Sequence, residues 1–348
     1  MQTHRFQQSL LAWFDQHGRS LPWRETRDPY RVWVSEIMLQ QTRVAAAIPY
    51  YQRWLARFPT LEHLADADID DVLKMWEGLG YYSRARNLHA AARVVRERHA
   101  GEMPDSAEGL RTLPGIGDYT AGAIASIVYG HAEPAVDGNV RRVMSRLLDR
   151  DLEGRALRTE TAALVSRDRP GEFNQALMEL GATVCTPRSP ECTTCPVTAH
   201  CAAYRKGTQK QRPAPKKKPD VPVVSVGVAV LRDPKGRILL TRRPDTGLLA
   251  GMWELPARTA ENGTAPEDAA LGVARTVTRR NDVTLHSDEP VATVRHVFSH
   301  RIEEYQAFQV AGTFALRPTP RRAWYEPQAR ANFTLPRGQQ RLLHAVLG

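Results

Sequence analysis

The sequence predicts a multidomain chain, with a mostly helical first part and an α+β second part. Three observations predict it. Apolar residues recur at helical spacing from Phe6 to about Val184. All four cysteines fall between Cys185 and Cys201, and after Pro222 the pattern changes to β-branched runs. The expected organisation is a helical domain at 1–204 that includes the cysteine loop at 185–201, a basic Pro-rich linker at 205–222, and a second domain at 223–348. A length of 348 residues suits two domains.

Within the first part, Leu61, Leu64 and Ala65, and then Val72, Leu73, Met75 and Trp76, mark two short helices, with Asp66 and Asp68 placed to cap the second. Further helices fit 86–98, 120–129, 140–148 and 173–183. Breaks carry Pro59, Gly78, Gly80, Gly101, Pro104, Pro114, Gly115 and Gly117. The stretch after the cysteines holds Arg205, Lys206, Lys210, Arg212, Lys216, Lys217 and Lys218 among Pro213, Pro215 and Pro219, and no acid interrupts it. It reads as an extended tether, either solvated or laid along phosphates. In the second part, the run 223–231 is expected to pair with 237–241 across a turn at 233–236, and strands also fit 291–294 and 303–310.

The formal net charge is +10 and the pI about 9.7, a surplus that favours polyanions, nucleic acid above all. No cationic start leads into a long apolar run, and no stretch of about eighteen apolar residues occurs, so neither a signal peptide nor a membrane span is expected and the reading is cytosolic. Four cysteines gathered in one loop argue against a disulfide scaffold, which spreads its cysteines through a small secreted chain. Their spacing is Cys185-x6-Cys192-x2-Cys195-x5-Cys201. Zinc and an iron–sulfur cluster both take four thiolates. The single CxxC pair, where zinc sites tend to have two, favours iron–sulfur. His200 reads as a bystander.

That spacing resembles the endonuclease III superfamily of DNA glycosylases. The resemblance implies that Cys185, Cys192, Cys195 and Cys201 hold a structural [4Fe–4S] cluster, with Arg188 in the loop against a DNA phosphate. Leu113-Pro-Gly-Ile-Gly-Asp-Tyr-Thr-Ala-Gly122 is a tight turn opening a helix, which can present backbone amides to a phosphate without reading sequence. It resembles the superfamily's helix-hairpin-helix motif, and Gly115 and Gly117 are its expected backbone contacts. Bifunctional members carry a lysine where this chain has Tyr119. Tyrosine cannot form a Schiff base, so the resemblance implies glycosidic cleavage without strong strand nicking.

Two carboxylates complete the reading. Asp137 in Val136-Asp-Gly-Asn-Val-Arg-Arg142 sits where an aspartate ordinarily caps a helix. It also matches the superfamily's essential aspartate, which answers the cationic sugar, and Asn139 matches a residue that orients the catalytic groups. Glu36 lies in Ser35-Glu-Ile-Met-Leu-Gln-Gln-Thr42, on a helix face with Trp33, Leu39 and Gln40. Apolar neighbours there would raise its pKa toward that of a general acid. The segment resembles the MutY-type adenine glycosylases, in which this glutamate protonates N7 of adenine.

The same resemblance implies that Tyr81 wedges beside an oxidised guanine, that Gln41 and Thr42 touch it, and that Arg24 and Gln175 line the adenine pocket. It also implies that Phe298, Ser299 and His300 sense 8-oxoguanine from a Nudix-like module, to which 241–256 is similar. The glutamate run of a working Nudix helix is missing after Pro256, so no pyrophosphatase activity is expected. The implied partner is duplex DNA carrying adenine opposite 8-oxoguanine or guanine, met by a monomer at the bacterial nucleoid. Rival readings are a glycosylase for oxidised pyrimidines or G·T, a Nudix-type nucleotide hydrolase with a DNA-binding arm, and a non-catalytic iron–sulfur DNA-binding protein.

Overall fold

The structure is a computed structural model that describes residues 2–215, 220–261 and 263–348. Lys216, Lys217, Lys218 and Pro219 of the basic stretch lie outside the described residues. The chain divides into two compact units, one made of 1–75 with 83–217 and the other of 76–82 with 218–348.

The first unit is helical. Its helices are α1 (Thr3–His17), α2 (Pro29–Leu39), α3 (Val44–Arg57), α4 (Leu61–Asp66), α5 (Ile69–Met75), α6 (Ser83–Arg98), α7 (Ala107–Arg111), α8 (Asp118–Ile127), α9 (Gly138–Leu148), α10 (Gly154–Ala162), α11 (Pro170–Thr183) and α12 (Ala202–Lys206). Local chemistry sets several starts. Asp28 accepts from Arg31 N–H at the head of α2, with Pro29 at the first position. Asp68 accepts from Asp70 N–H ahead of α5, while Asp66 pairs with Arg96 instead.

One core joins Phe6 and Leu10 of α1, Val140, Val143, Met144 and Leu147 of α9, and Phe173, Ala176, Leu177 and Leu180 of α11. Cys185 and Cys195 pack against it, so the cysteine loop is built onto the same helices that carry the candidate site. The Pro-rich stretch begins differently from a free tether. Asp149, in the left-handed region after α9, accepts from Lys206 Nζ at 3.1 Å, Thr208 Oγ1 at 2.7 Å and Arg212 Nε at 3.0 Å. Arg146 Nε donates to the Arg212 carbonyl, and Asp151 accepts from Ala214 N–H. Lys206 and Arg212 are thus paired with acids, although Lys206 stays exposed.

The second unit is α+β. Its elements are β1 (Val223–Val230), β2 (Ile238–Arg242), β3 (Trp253–Glu254), β4 (Ala257–Thr259), α13 (Pro266–Thr278), β5 (Ala292–Val297), β6 (Ile302–Gln309), β7 (Arg322–Tyr325) and α14 (Arg337–Leu347). They form a four-stranded mixed sheet, β4-β1-β6-β5, and a three-stranded antiparallel sheet, β3-β2-β7. The expected β1–β2 hairpin closes at its turn but does not extend along the strands. β1 is flanked by antiparallel β4 and parallel β6, which take both of its edges. At the turn, Asp233 N–H donates to the Arg237 carbonyl and Leu239 N–H to the Leu231 carbonyl, both at 3.0 Å, with a bridge from Arg232 to Ile238, and β2 then passes to the other sheet. Among the described residues, no helix is long and apolar enough to cross a membrane.

Candidate active site

A cavity of about 630 Å³ opens between α2, α8, the start of α9 and α11. Its wall includes Arg24, Glu36, Gln41, Thr42, Gly117, Tyr119, Asp137, Asn139 and Gln175 from the sequence reading. It also includes Gln40, expected on the helix face of Glu36, and Arg19, Met178 and Glu179, which that reading missed. Glu179 and Gln175 are four residues apart on α11 and so share a face, a periodicity that could have flagged both.

Glu36 sits on a helix whose residues from Tyr30 to Met38, Arg31 apart, are buried. It is 5% exposed, and Tyr119 Oη donates to its Oε2 at 2.6 Å. Burial pushes its carboxyl up to about 7, against the hydrogen bond from Tyr119, which lowers it. Asp137 adds a raising influence and Arg24 a lowering one. Tyr119 is held well above an ordinary tyrosine, first by burial and then by Glu36 and Asp137, so it stays a phenol and a donor. Its hydroxyl also lies 3.3 Å from Met178 Sδ. Below Glu36, Arg84 Nη1 donates to the carbonyls of Ile37, Met38 and Gln40, a cation at the carbonyl end of α2 that fixes the turn into Gln41. Gln41 there has φ 57°, a left-handed conformation uncommon for a side chain of its size.

Asp137 does cap α9, through Oδ1 to Val140 N–H at 2.7 Å. Its other oxygen accepts from Asn139 Nδ2 at 2.9 Å. Burial pushes Asp137 up, and those donors together with the Arg142 charge pull it back. One carboxylate therefore caps the helix and faces the cavity. Arg142 continues the line, donating to Asn139 Oδ1 at 2.8 Å, to the Gly181 carbonyl at 2.7 Å and to the Cys185 carbonyl at 2.8 Å. Gly181 leaves room for this, because an added Cβ would stand 2.6 Å from Asn139 Cβ. Asn174, fully buried, donates to Ser126 Oγ and the Glu133 carbonyl and accepts from Ala135 N–H, which fixes the loop that delivers Asp137.

The cysteine loop begins directly after α11. Arg146 Nη1 lies 3.3 Å from Cys185 Sγ and donates to the Thr186 carbonyl, and Arg146 Nη2 donates to that of Pro187. Burial pushes Cys195 up to about 12 and raises Cys192 and Cys201, with thiolate neighbours adding to each. Cysteines that raise one another in this way, with Arg146 against Cys185 Sγ and Arg142 on the Cys185 carbonyl, suit a centre that draws off thiolate charge. Among the described residues, no group of three or more His, Cys, Asp or Glu is gathered to hold a single metal ion.

The other expected residues, Gly117 apart, lie outside the cavity wall. Gly115 has φ +77°, and a Cβ there would stand 2.6 Å from Asn87 Cβ, so the turn before α8 requires glycine. Gly117 precedes α8 and Arg188 is exposed in the cysteine loop. Tyr81 is 45% exposed with φ 48°, in the 76–82 segment that belongs to the second unit. Phe298 is half-buried beside His296, ring centroids 4.6 Å apart, while Ser299 and His300 are exposed at the turn between β5 and β6. α13 carries acids only at Glu267 and Asp268 in its first turn, and Glu254 is paired with Arg243 at 2.7 Å.

Comparison with known proteins agrees with this geometry. Residues 34–163 match the HhH-GPD superfamily of base excision DNA repair proteins, and residues 227–345 match the NUDIX domain. An adenine DNA glycosylase of Mus musculus is 40% identical over 88% of this chain and 70% of its own length. One from Buchnera aphidicola is 29% identical over 99% of this chain and 98% of its own. A thermostable thymine-DNA glycosylase superposes with a TM-score of 0.56 and 29% identity, covering 59% of this chain and 97% of that one. The chain belongs to the adenine DNA glycosylase family.

Proposed function

We propose that this protein hydrolyses the N-glycosidic bond of adenine in duplex DNA, in base excision repair, with adenine opposite 8-oxoguanine, or guanine, as its target. One observation carries the reading. Glu36 and Asp137 face one cavity; burial raises both carboxyls, Glu36 to about 7, while Val140 N–H, Asn139 and the Arg142 charge pull Asp137 back toward the ionised form. That division of labour between two carboxyls is what glycoside cleavage requires.

Adenine leaves poorly unless protonated. Glu36, held protonated near neutral pH by burial and oriented by Tyr119, supplies the proton to N7, and the bond to C1′ lengthens. Positive charge grows on the sugar. Asp137, fixed by Val140 N–H and Asn139, answers that charge, and water completes the hydrolysis. The nucleotide must first leave the stack, since its reacting atoms are inaccessible in a duplex. Arg24 and Gln175 line the space for the base, and Gln41 and Thr42 edge the cavity where the opposite strand would lie. Tyr81, Phe298, Ser299 and His300 are the proposed lesion readers. Tyr119 offers no amine, so no imine forms and strand nicking stays weak. Gly115, Gly117 and Arg188 are the proposed phosphate contacts. Cys185, Cys192, Cys195 and Cys201 would hold a [4Fe–4S] cluster, whose contribution is to shape the loop rather than to react.

The test is excision from duplexes with A opposite 8-oxoguanine or guanine, run beside thymine glycol and G·T, with alkali to reveal abasic sites. Adenine release with strand breaks only after alkali is the expected result. Release of a pyrimidine instead, or of no base, overturns the reading.

A further inference from the structure

We infer that Glu179 is a positioning residue for this reaction: it clamps Arg24 in the cavity wall and offsets its charge, so that Glu36 can keep its proton. The inference rests on the assignment of Glu36 as the acid.

The geometry is specific. Glu179 is 1% exposed and lines the cavity, yet it is fully partnered. Its Oε1 accepts from Arg19 Nε at 2.5 Å and Arg19 N–H at 3.3 Å. Its Oε2 accepts from Arg19 Nη2 at 2.8 Å and Arg24 Nη2 at 2.9 Å. Arg24 is tied a second time through Nη1 to the Arg19 carbonyl at 2.9 Å, and its guanidinium stacks over the Phe14 ring at 5.0 Å. This is a planar cation fixed from three sides, suited to hold one edge of a flat base.

The same cation is a hazard for the acid. A guanidinium in a poorly hydrated cavity favours an ionised glutamate. The groups facing Glu36 are few. α8 brings Tyr119, the head of α9 brings Asp137, and the short helical turn at Pro22–Arg24 brings Arg24. α6 brings Arg84, whose guanidinium donates to the carbonyls at the end of α2, and α3 contributes Val44 to the wall. Of these, Arg24 is the cation whose charge lowers Glu36, and α11 sets Glu179 against it and against Arg19, which also lines the cavity. Burial alone would raise Glu179, but the bonds from Arg19 and the charge of Arg24 outweigh that and hold it ionised. Glu179 thus offsets one of the two charges of Arg19 and Arg24, so their fixed donors face the cavity with one net positive charge in place of two.

The experiment is the pH dependence of single-turnover adenine excision by the full chain, compared for wild type, Glu179→Gln, Arg24→Gln and the double variant. Glu36 works protonated, so activity is lost as pH rises through its pKa. Glu179→Gln leaves the Arg24 charge unopposed and should move that basic limb down by about one pH unit. Arg24→Gln should move it up. In the Arg24→Gln background, adding Glu179→Gln should move it clearly less, because only Arg19 is then left unopposed. A side chain that matters for folding alone would scale the rate equally at every pH. An unmoved or upward limb in Glu179→Gln, or an equal shift with and without Arg24, overturns the inference. Infrared titration of the Glu36 carboxyl in the free proteins, assigned with Glu36→Gln, reads the same shift if a variant is too slow to assay. If wild type releases no adenine, the functional reading fails, while the infrared titration still decides the role of Glu179.

Discussion

The cavity of the helical unit and the β5–β6 turn of the C-terminal unit are built on opposite plans. In the cavity, each of the polar groups Glu36, Asp137, Asn139 and Tyr119 has a fixed partner within 3 Å and sits on a helix or at its head. At the turn, Phe298 rests on His296 while Ser299 and His300 are exposed, on a connection of a few residues. The comparison teaches what each region can do. A buried, fully partnered set can shift pKa values and hold reacting atoms. An exposed turn with one aromatic anchor can recognise a surface but cannot supply a dry environment. Beneath it, the buried Glu303 accepts from Arg301 and Tyr305, so the turn has a rigid floor.

The sharpest way to break that division is to remove the acid. Glu36→Gln should lower single-turnover adenine excision by about a thousandfold, with the duplex still bound in a gel-shift assay. A loss below tenfold would place the acid elsewhere. Asp137→Asn keeps a cap acceptor for Val140 N–H but loses the charge. It should cost about a hundredfold or more in rate with a melting temperature close to wild type. A large drop in melting temperature would mark Asp137 as mainly a cap. Tyr119→Phe deletes the donor to Glu36 and should cost about tenfold, together with an upward move of the basic limb, because the bond from Tyr119 lowers the Glu36 pKa. The smallest effect belongs to the turn. Ser299→Ala with His300→Ala should cut the preference for 8-oxoguanine over guanine by about tenfold and leave excision from the guanine mispair nearly unchanged. An equal loss on both duplexes would give the turn a general structural role.

Much of this was legible in the sequence, for reasons that differ by residue. Glu36 is readable because an acid inside a run of apolar helix residues must be buried, and burial sets its pKa. Asp137 reads as a cap from its position before Gly138, and the cap is real. That the same carboxylate faces the cavity depends on Asn174 and the 133–137 loop, which no local pattern encodes. The spacing of Glu179 from Gln175 could have placed it on the cavity face, but its role was not legible, because its partners Arg19 and Arg24 are about 155 to 160 residues away in the chain. Local helix periodicity placed α4, α5, α6, α8, α9 and α11 to within a few residues, since it reflects which face is buried, while α1, α3, α7 and α10 were not placed individually. The expected β1–β2 hairpin stops at its turn because strand pairing is non-local, with β6, some eighty residues on, taking the edge that a neighbour would have used. Arg212 and Lys206 looked like tether charges because Asp149 and Asp151, their partners, lie far back in the sequence.

The central claim is that a neutral carboxyl at residue 36 and an ionised one at residue 137 act on one extruded adenine. The most direct measurement is the single-turnover excision rate against pH for the full chain on a duplex with A opposite 8-oxoguanine. The account predicts a bell, rising as Asp137 loses its proton on the acid side and falling with a one-proton slope above pH about 7, where Glu36 ionises. A rate that stays level, or climbs, from pH 6 to 9 would contradict it.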